Sequence, residues 1–130
     1  MRLLIVRHGE AAAGEPDHLR ALTETGREQA RSLATRLRDE GVQPDAILTS
    51  PLLRARQTGE VLARELGAPA TPDDRLAPGA DAAAVSEAAD GRGETVIVVA
   101  HQPDCGLIAA ELAGGPEPAF PPAAAVAVEL

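Results

Sequence analysis

Three apolar runs in this 130-residue chain lead into residues able to do chemistry. "RLLIV" (2–6) runs into Arg7, His8, Gly9 and Glu10, and "TVIVVA" (95–100) into His101. "DAILTS" (45–50) continues through "PLLRARQT", which carries Arg54. Cations, imidazoles and carboxylates are costly at the edge of a core unless they are paired or put to use. Together these residues suit phosphoryl chemistry. Two guanidiniums offer forked donors matched to phosphoryl oxygens. A neutral imidazole nitrogen is a nucleophile able to take a phosphoryl group, and a second histidine can donate to the equatorial oxygens as charge is displaced. Phosphoryl transfer needs mainly positioning and charge stabilisation, and this set supplies both.

Such a set works only if the fold collects it. The runs at 2–6, 45–50 and 95–101 are too short for helices and suit strands buried on both faces. Between them the spacing predicts helices. One begins near Thr23 or Thr25, with Thr25 and Glu28 at capping-box spacing. It carries the stripe Ala30, Leu33, Ala34, Leu37 and stops by Gly41. A second opens at Pro51 and buries Ala55, Gly59, Leu62 and Leu66 before Gly67. Residues 68–80 read as an excursion with one short strand around Ala70 or Leu76. An Ala-rich helix spans 81–90. Another spans 103–112, with Leu107, Ile108 and Leu112 inward. Residues 124–130 read as an edge strand. Strands alternating with helices imply an α/β fold, one domain over 1–130, with a mainly parallel sheet covered on both faces. The carboxyl ends of parallel strands share one edge, where ligands of such sheets bind. Arg7, His8, Arg54 and His101 are therefore expected in one pocket, with Arg54 one turn into its helix.

Composition narrows the partners. The net charge of −8 argues against nucleic acid, whose phosphates require clustered cations. An anionic substrate must then be drawn by a local positive pocket. The single Cys105 excludes an intrachain disulfide and a Cys-rich zinc site, and is read as a small core residue. His8, His18 and His101 contain no close ligand pair, and arginines beside them would repel a cation, so no metal is expected. No stretch approaches transmembrane length. The N-terminal run lacks a cleavage site, which makes the cytosol the default.

At the level of blocks the sequence resembles the histidine phosphatases, the phosphoglycerate-mutase-like superfamily. "LLIVRHGE" resembles the family's strand-plus-RHG signature. "LTETGREQA" (22–30) is similar to its L-T-x-x-G-x-x-Q-A helix start, and "TSPLLRARQTGE" (49–60) to its S-x-L-x-R-A-x-Q-T-A segment. "VIVVAHQPD" (96–104) is similar to its strand ending in G-H. The resemblance implies a phosphoglycerate-mutase-like fold, His8 as the phosphorylated residue, and Arg7, Gly9, Arg54 and His101 around the phosphoryl group, without metal or organic cofactor. Gly59 stands where Ala is usual and Ala100 where Gly is usual, swaps of small residues expected to matter little.

The family's proton donor has no clear counterpart here: Ala77 and Pro78 stand near its expected place. Asp81, Asp104 and Glu10 are the candidates, Glu10 being equally readable as an exposed loop carboxylate. The short chain leaves no room for the lids of mutases and phytases, so it resembles the small SixA-type phosphohistidine phosphatases. The expected substrate is a phosphohistidine on a partner protein, met by a monomer or weak dimer. A small-molecule phosphomonoesterase acting on a sugar or nucleotide-loop phosphate is the alternative, and a non-catalytic phosphate- or phosphohistidine-binding module is the alternative from another class. His18 beside Asp17 is read as solvated, Arg20 as a structural ion pair, and Arg56 as pointing away from Arg54. Ser50 and Thr58 are expected to bond locally around the start of the Arg54 helix.

Overall fold

A computed structural model describes all residues, Met1–Leu130. Five strands form one sheet: β1 (Arg2–Arg7), β2 (Ala46–Thr49), β3 (Ala70–Pro72), β4 (Thr95–Ala100) and β5 (Ala125–Glu129). Their order is β3-β2-β4-β1-β5. The pairs β1·β4, β2·β4 and β2·β3 are parallel, and β5 joins β1 antiparallel at the edge. Four helices alternate with the strands: α1 (Glu24–Asp39), α2 (Leu53–Leu66), α3 (Ala82–Ala89) and α4 (Asp104–Ala113).

The strands read as unbroken apolar runs because both faces are buried. Successive residues point to opposite sides. Leu3 and Ile5 enter a core shared with α3 and α4, through Val85, Ala88, Cys105, Ile108 and Ala109. Leu4 and Val6 enter a second core with α1 and α2, through Leu33, Ala34, Leu37, Ala55 and Leu62. The same alternation splits β4: Val96, Val98 and Ala100 face the first core, and Ile97 and Val99 the second.

Local chemistry sets the helix ends, with three corrections to the sequence reading. The cap of α1 is Thr23, whose hydroxyl accepts the Gly26 N–H at 2.9 Å, so Thr25 lies inside the helix and forms no capping box with Glu28. A bridge between Ala11 and Leu22 carries the chain in extended form up to Thr23, which is thus the residue placed to cap. Pro51 precedes α2 by two residues, because Leu52 is the cap and Leu53 the first helical residue. Leu107 is 53% exposed instead of inward. The inward stripe of α4 is Cys105, Ile108, Ala109 and the half-buried Leu112, at the i, i+3, i+4, i+7 spacing of one helix face, and Leu107 falls off it. Gly67 and Gly114 take left-handed conformations at the ends of α2 and α4, where a side chain would be strained.

The topology makes the site. The chain leaves β1 into α1 on one face and leaves β4 into α4 on the other, although β1 and β4 are neighbours. The helices therefore diverge from the carboxyl ends of β1 and β4, which is the place where ligands of open α/β sheets bind. Arg7 stands opposite Ala100 in the β1·β4 register. The next residues on each strand, His8 and His101, consequently emerge side by side.

Candidate active site

The two imidazoles lie with ring centroids 5.2 Å apart and planes inclined by 60°. The His8 N–H of the backbone donates to the Ala100 carbonyl at 3.1 Å, which continues the ladder one step past the strand. Nδ1 of His8 lies 2.6 Å from the Gly9 carbonyl oxygen. A carbonyl can only accept, so Nδ1 carries the proton and Nε2 keeps its lone pair. Burial, and after it the positive charges of Arg54, Arg7 and Arg20, push the pKa of His8 below its ordinary 6.5, against the Gly9 carbonyl, which favours the protonated ring. The result is a neutral imidazole at neutral pH whose lone pair sits on Nε2.

His101 is held neutral more firmly: burial first, then the neighbouring His8 ring, which takes up a proton ahead of it in acid, and the charge of Arg54 lower its pKa to about 3. Its Nε2 lies 2.7 Å from the Ser50 hydroxyl. Arg7 donates from one terminal nitrogen to the Phe120 carbonyl at 2.9 Å, which anchors its guanidinium to the segment before β5. Arg7 Nε and His101 Nδ1 are buried and have no hydrogen-bond partner. Buried polar groups are nearly always bonded, so these two nitrogens are the ones that a polar ligand at this place would satisfy.

Arg54 is the second residue of α2, closer to the helix start than the expected full turn. Its side chain is 9% exposed. Its two terminal nitrogens reach Asp17, one to the backbone carbonyl at 2.9 Å and one to Oδ2 at 3.2 Å. Each terminal nitrogen keeps a second N–H. Arg20 closes the arrangement with a 3.0 Å bond to Asp17 Oδ1 and a bond to the Ala12 carbonyl. Arg20 first, and then Arg54, hold the Asp17 carboxyl below the usual carboxylate range. The reading of Arg20 as an ion-paired residue agrees with this, and His18 and Arg56 are exposed.

The carboxylates named as candidate proton donors each have an oxygen engaged in structure. Asp81 caps α3 by accepting the Ala84 N–H at 2.8 Å. Asp104 accepts the Gly79 N–H at 2.7 Å. Glu10 accepts the Thr23 hydroxyl at 2.6 Å. Cys105 is fully buried, its thiol pushed up to about 12 by burial first and Asp104 second, and it rests 3.7 Å from the Val6 carbonyl.

Three long-range contacts were not visible in the sequence reading. Asp17 clamps Arg54 across 37 positions. Ser50 does bond locally, accepting the Leu52 N–H at 3.2 Å, but it also reaches His101 across 51 positions. Thr58 donates to the Arg54 carbonyl one turn back and accepts the Gly9 N–H at 3.1 Å, tying the loop after His8 to the helix of Arg54. For Ser50 and Thr58 the signal available was a small hydroxyl residue next to a buried strand or on the buried face of a helix, where such a group must find a partner.

Glycines fix the loop from below. A Cβ on Gly9 would stand 2.6 Å from the Gly26 carbonyl oxygen, and one on Gly26 would collide with the Glu10 carbonyl oxygen. The glycines of "RHG" and "LTETG" thus let two backbones cross directly beneath His8. Gly26→Ala is expected to shift the Glu10 backbone, lowering stability by about 1–3 kcal/mol and kcat about 100-fold through misplacement of His8. Urea melts and kcat on the same preparation check this. At Gly59 a Cβ would overlap the Thr49 methyl group. Alanine is therefore not a free exchange there, contrary to the expectation from sequence.

The comparisons with known proteins agree with this picture. The model of the histidine phosphatase superfamily (branch 1) matches residues 3–78. Phosphohistidine phosphatase SixA of Escherichia coli (strain K12) is 35% identical over 125 residues, covering 91% of this chain and 78% of that protein. The structure of the protein histidine phosphatase SixA complexed with tungstate superposes with a TM-score of 0.91 at 34% identity, over 100% of this chain and 88% of that one. A mycobacterial glucosyl-3-phosphoglycerate phosphatase shares the fold, with a TM-score of 0.71 at 24% identity over 97% of this chain and 88% of its own. No helix is long and apolar enough to cross a membrane. With the family model matched over residues 3–78 and sequence and fold similarity running along nearly the whole chain, the chain belongs to the histidine phosphatase superfamily and is a phosphatase.

Proposed function

We propose that this phosphatase hydrolyses phosphohistidine on a partner protein through a phosphoryl group carried on His8. The observation that carries the reading is the tautomer of His8: Nδ1–H held by the Gly9 carbonyl at 2.6 Å, with the Nε2 lone pair left over among three arginine charges. In the first step that lone pair bonds to phosphorus while the bond from phosphorus to the substrate imidazole breaks, and the departing imidazole takes a proton from solvent. Arg7, Arg54 and His101 donate to the phosphoryl oxygens. In the second step water bonds to phosphorus, the bond to Nε2 breaks, and phosphate leaves with His8 restored. No metal ion takes part in these steps.

The leaving group favours the phosphoramidate. Asp81, Asp104 and Glu10 each have an oxygen committed to structural bonds, and an imidazole departs with less help from a strong general acid than an alkoxide does. The similarity to SixA along most of the chain supports the same choice. In EDTA, kcat/KM for a phosphohistidine peptide is expected to exceed that for an aryl phosphate by at least about tenfold, a difference of ~1.4 kcal/mol in transition-state binding. A preference for the ester would instead mark a small-molecule phosphomonoesterase.

A further inference from the structure

His101 has two ring nitrogens in different situations. Nε2 faces the Ser50 hydroxyl at 2.7 Å, and Nδ1 is buried without a protein partner. Because the ring is neutral, one nitrogen carries a proton and the other a lone pair. Which one is decided by Ser50. The Ser50 side chain is fully buried, and its oxygen already accepts the Leu52 N–H at 3.2 Å. Its own proton needs an acceptor, and His101 Nε2 is the only one within reach, since the neighbouring Thr49 hydroxyl donates to the Ser50 carbonyl instead of facing the Ser50 oxygen. If Nε2 held the proton, two donors would face one hydroxyl oxygen, and a buried hydroxyl hydrogen would be stranded at a cost of about 1–3 kcal/mol.

We propose that Ser50 is a positioning residue: its hydroxyl donates to Nε2 of His101 and so fixes the ring as the Nδ1–H tautomer, which presents a neutral donor to the phosphoryl group. The role toward phosphate rests on the function proposed above, but the tautomer assignment does not. A neutral donor strengthens its bond as charge builds on the equatorial oxygens, without adding a cation beside His8 that would disfavour the leaving group's proton uptake. Ser50 also lies at the end of β2, four residues before Arg54. One short segment thus supplies a phosphate-facing cation and the group that orients the neighbouring imidazole.

The test begins with the unmodified protein, labelled with 15N at histidine and observed by long-range 1H–15N NMR near pH 7 without substrate. The expected His101 pattern has a protonated Nδ1 and an unprotonated Nε2. In Ser50→Ala the two tautomers are expected to mix, and kcat for the phosphohistidine peptide to fall about tenfold or more, within the loss caused by removing one oxyanion donor, with KM changed less than threefold. Ser50→Thr, which keeps the hydroxyl, should restore the tautomer and most of kcat. A wild-type His101 protonated on Nε2 would overturn the proposal. So would a Ser50→Ala variant with an unchanged tautomer, whether or not its kcat falls, because a fall would then report packing alone. A substrate other than phosphohistidine would show itself as ester preference in wild type and leave the NMR assignment standing.

Discussion

His8→Ala is expected to lower kcat by about 10⁴-fold or more while leaving the fold intact. Removal of a covalent nucleophile typically costs that much. The side chain stands at the end of β1 and is not part of either core, so thermal melting should move little. The same residue sets the acid side of the pH profile. Its pKa lies below 6.5, through burial and the charges of Arg54, Arg7 and Arg20. Above that depressed value Nε2 is unprotonated and able to attack; as pH falls through it the ring takes a proton and the lone pair is lost. The acid limb of kcat/KM should therefore have its midpoint below 6.5, once the substrate's own titration is divided out. Neutralising one of the cations should move that limb upward in pH, because less positive charge then opposes protonation of His8.

The second large effect is expected at Arg54. Arg54→Ala should reduce kcat/KM about 10³-fold, the scale on which a phosphate-binding arginine contributes to phosphoryl transfer. Arg54→Lys should recover only a small part. An ammonium restores the charge, but it cannot hold the Asp17 carbonyl and carboxylate with two separate nitrogens and still offer N–H groups to a phosphoryl oxygen. Inhibition by inorganic phosphate reports the ground-state share of the loss: a weaker inhibition constant in Arg54→Ala with a larger fall in kcat would place most of the interaction in the transition state.

Much of this arrangement was legible because it depends on short-range pattern. A strand buried on both faces must be continuously apolar, so the histidines that end β1 and β4 stood out, and alternation of strands with helices gave the parallel sheet. Glycine marked the ends of α1, α2 and α4. The register that sets His8 beside His101 follows from neighbouring strands and could be inferred only as a shared edge. What sequence did not reveal are contacts that need coordinates: Asp17 on Arg54, Thr58 on Gly9, and Ser50 on His101. Each is made by a short polar side chain whose local role, cap or turn, is equally good chemistry. The misplaced Leu107 has a simpler origin. Cys105 and Ala109 are small, and a pattern weighted to large residues put Leu107 on the face that these two occupy.

The central claim is that phosphorus passes through Nε2 of His8. The most direct measurement is a rapid-quench single turnover with phosphohistidine peptide, followed by alkaline-stable, acid-labile phosphate analysis and mass mapping of the enzyme. The account predicts a transient phosphoryl group on the peptide containing His8, formed before free phosphate and absent from His8→Ala. Free phosphate released at the full rate with no phosphoryl group on His8 at any time would contradict it.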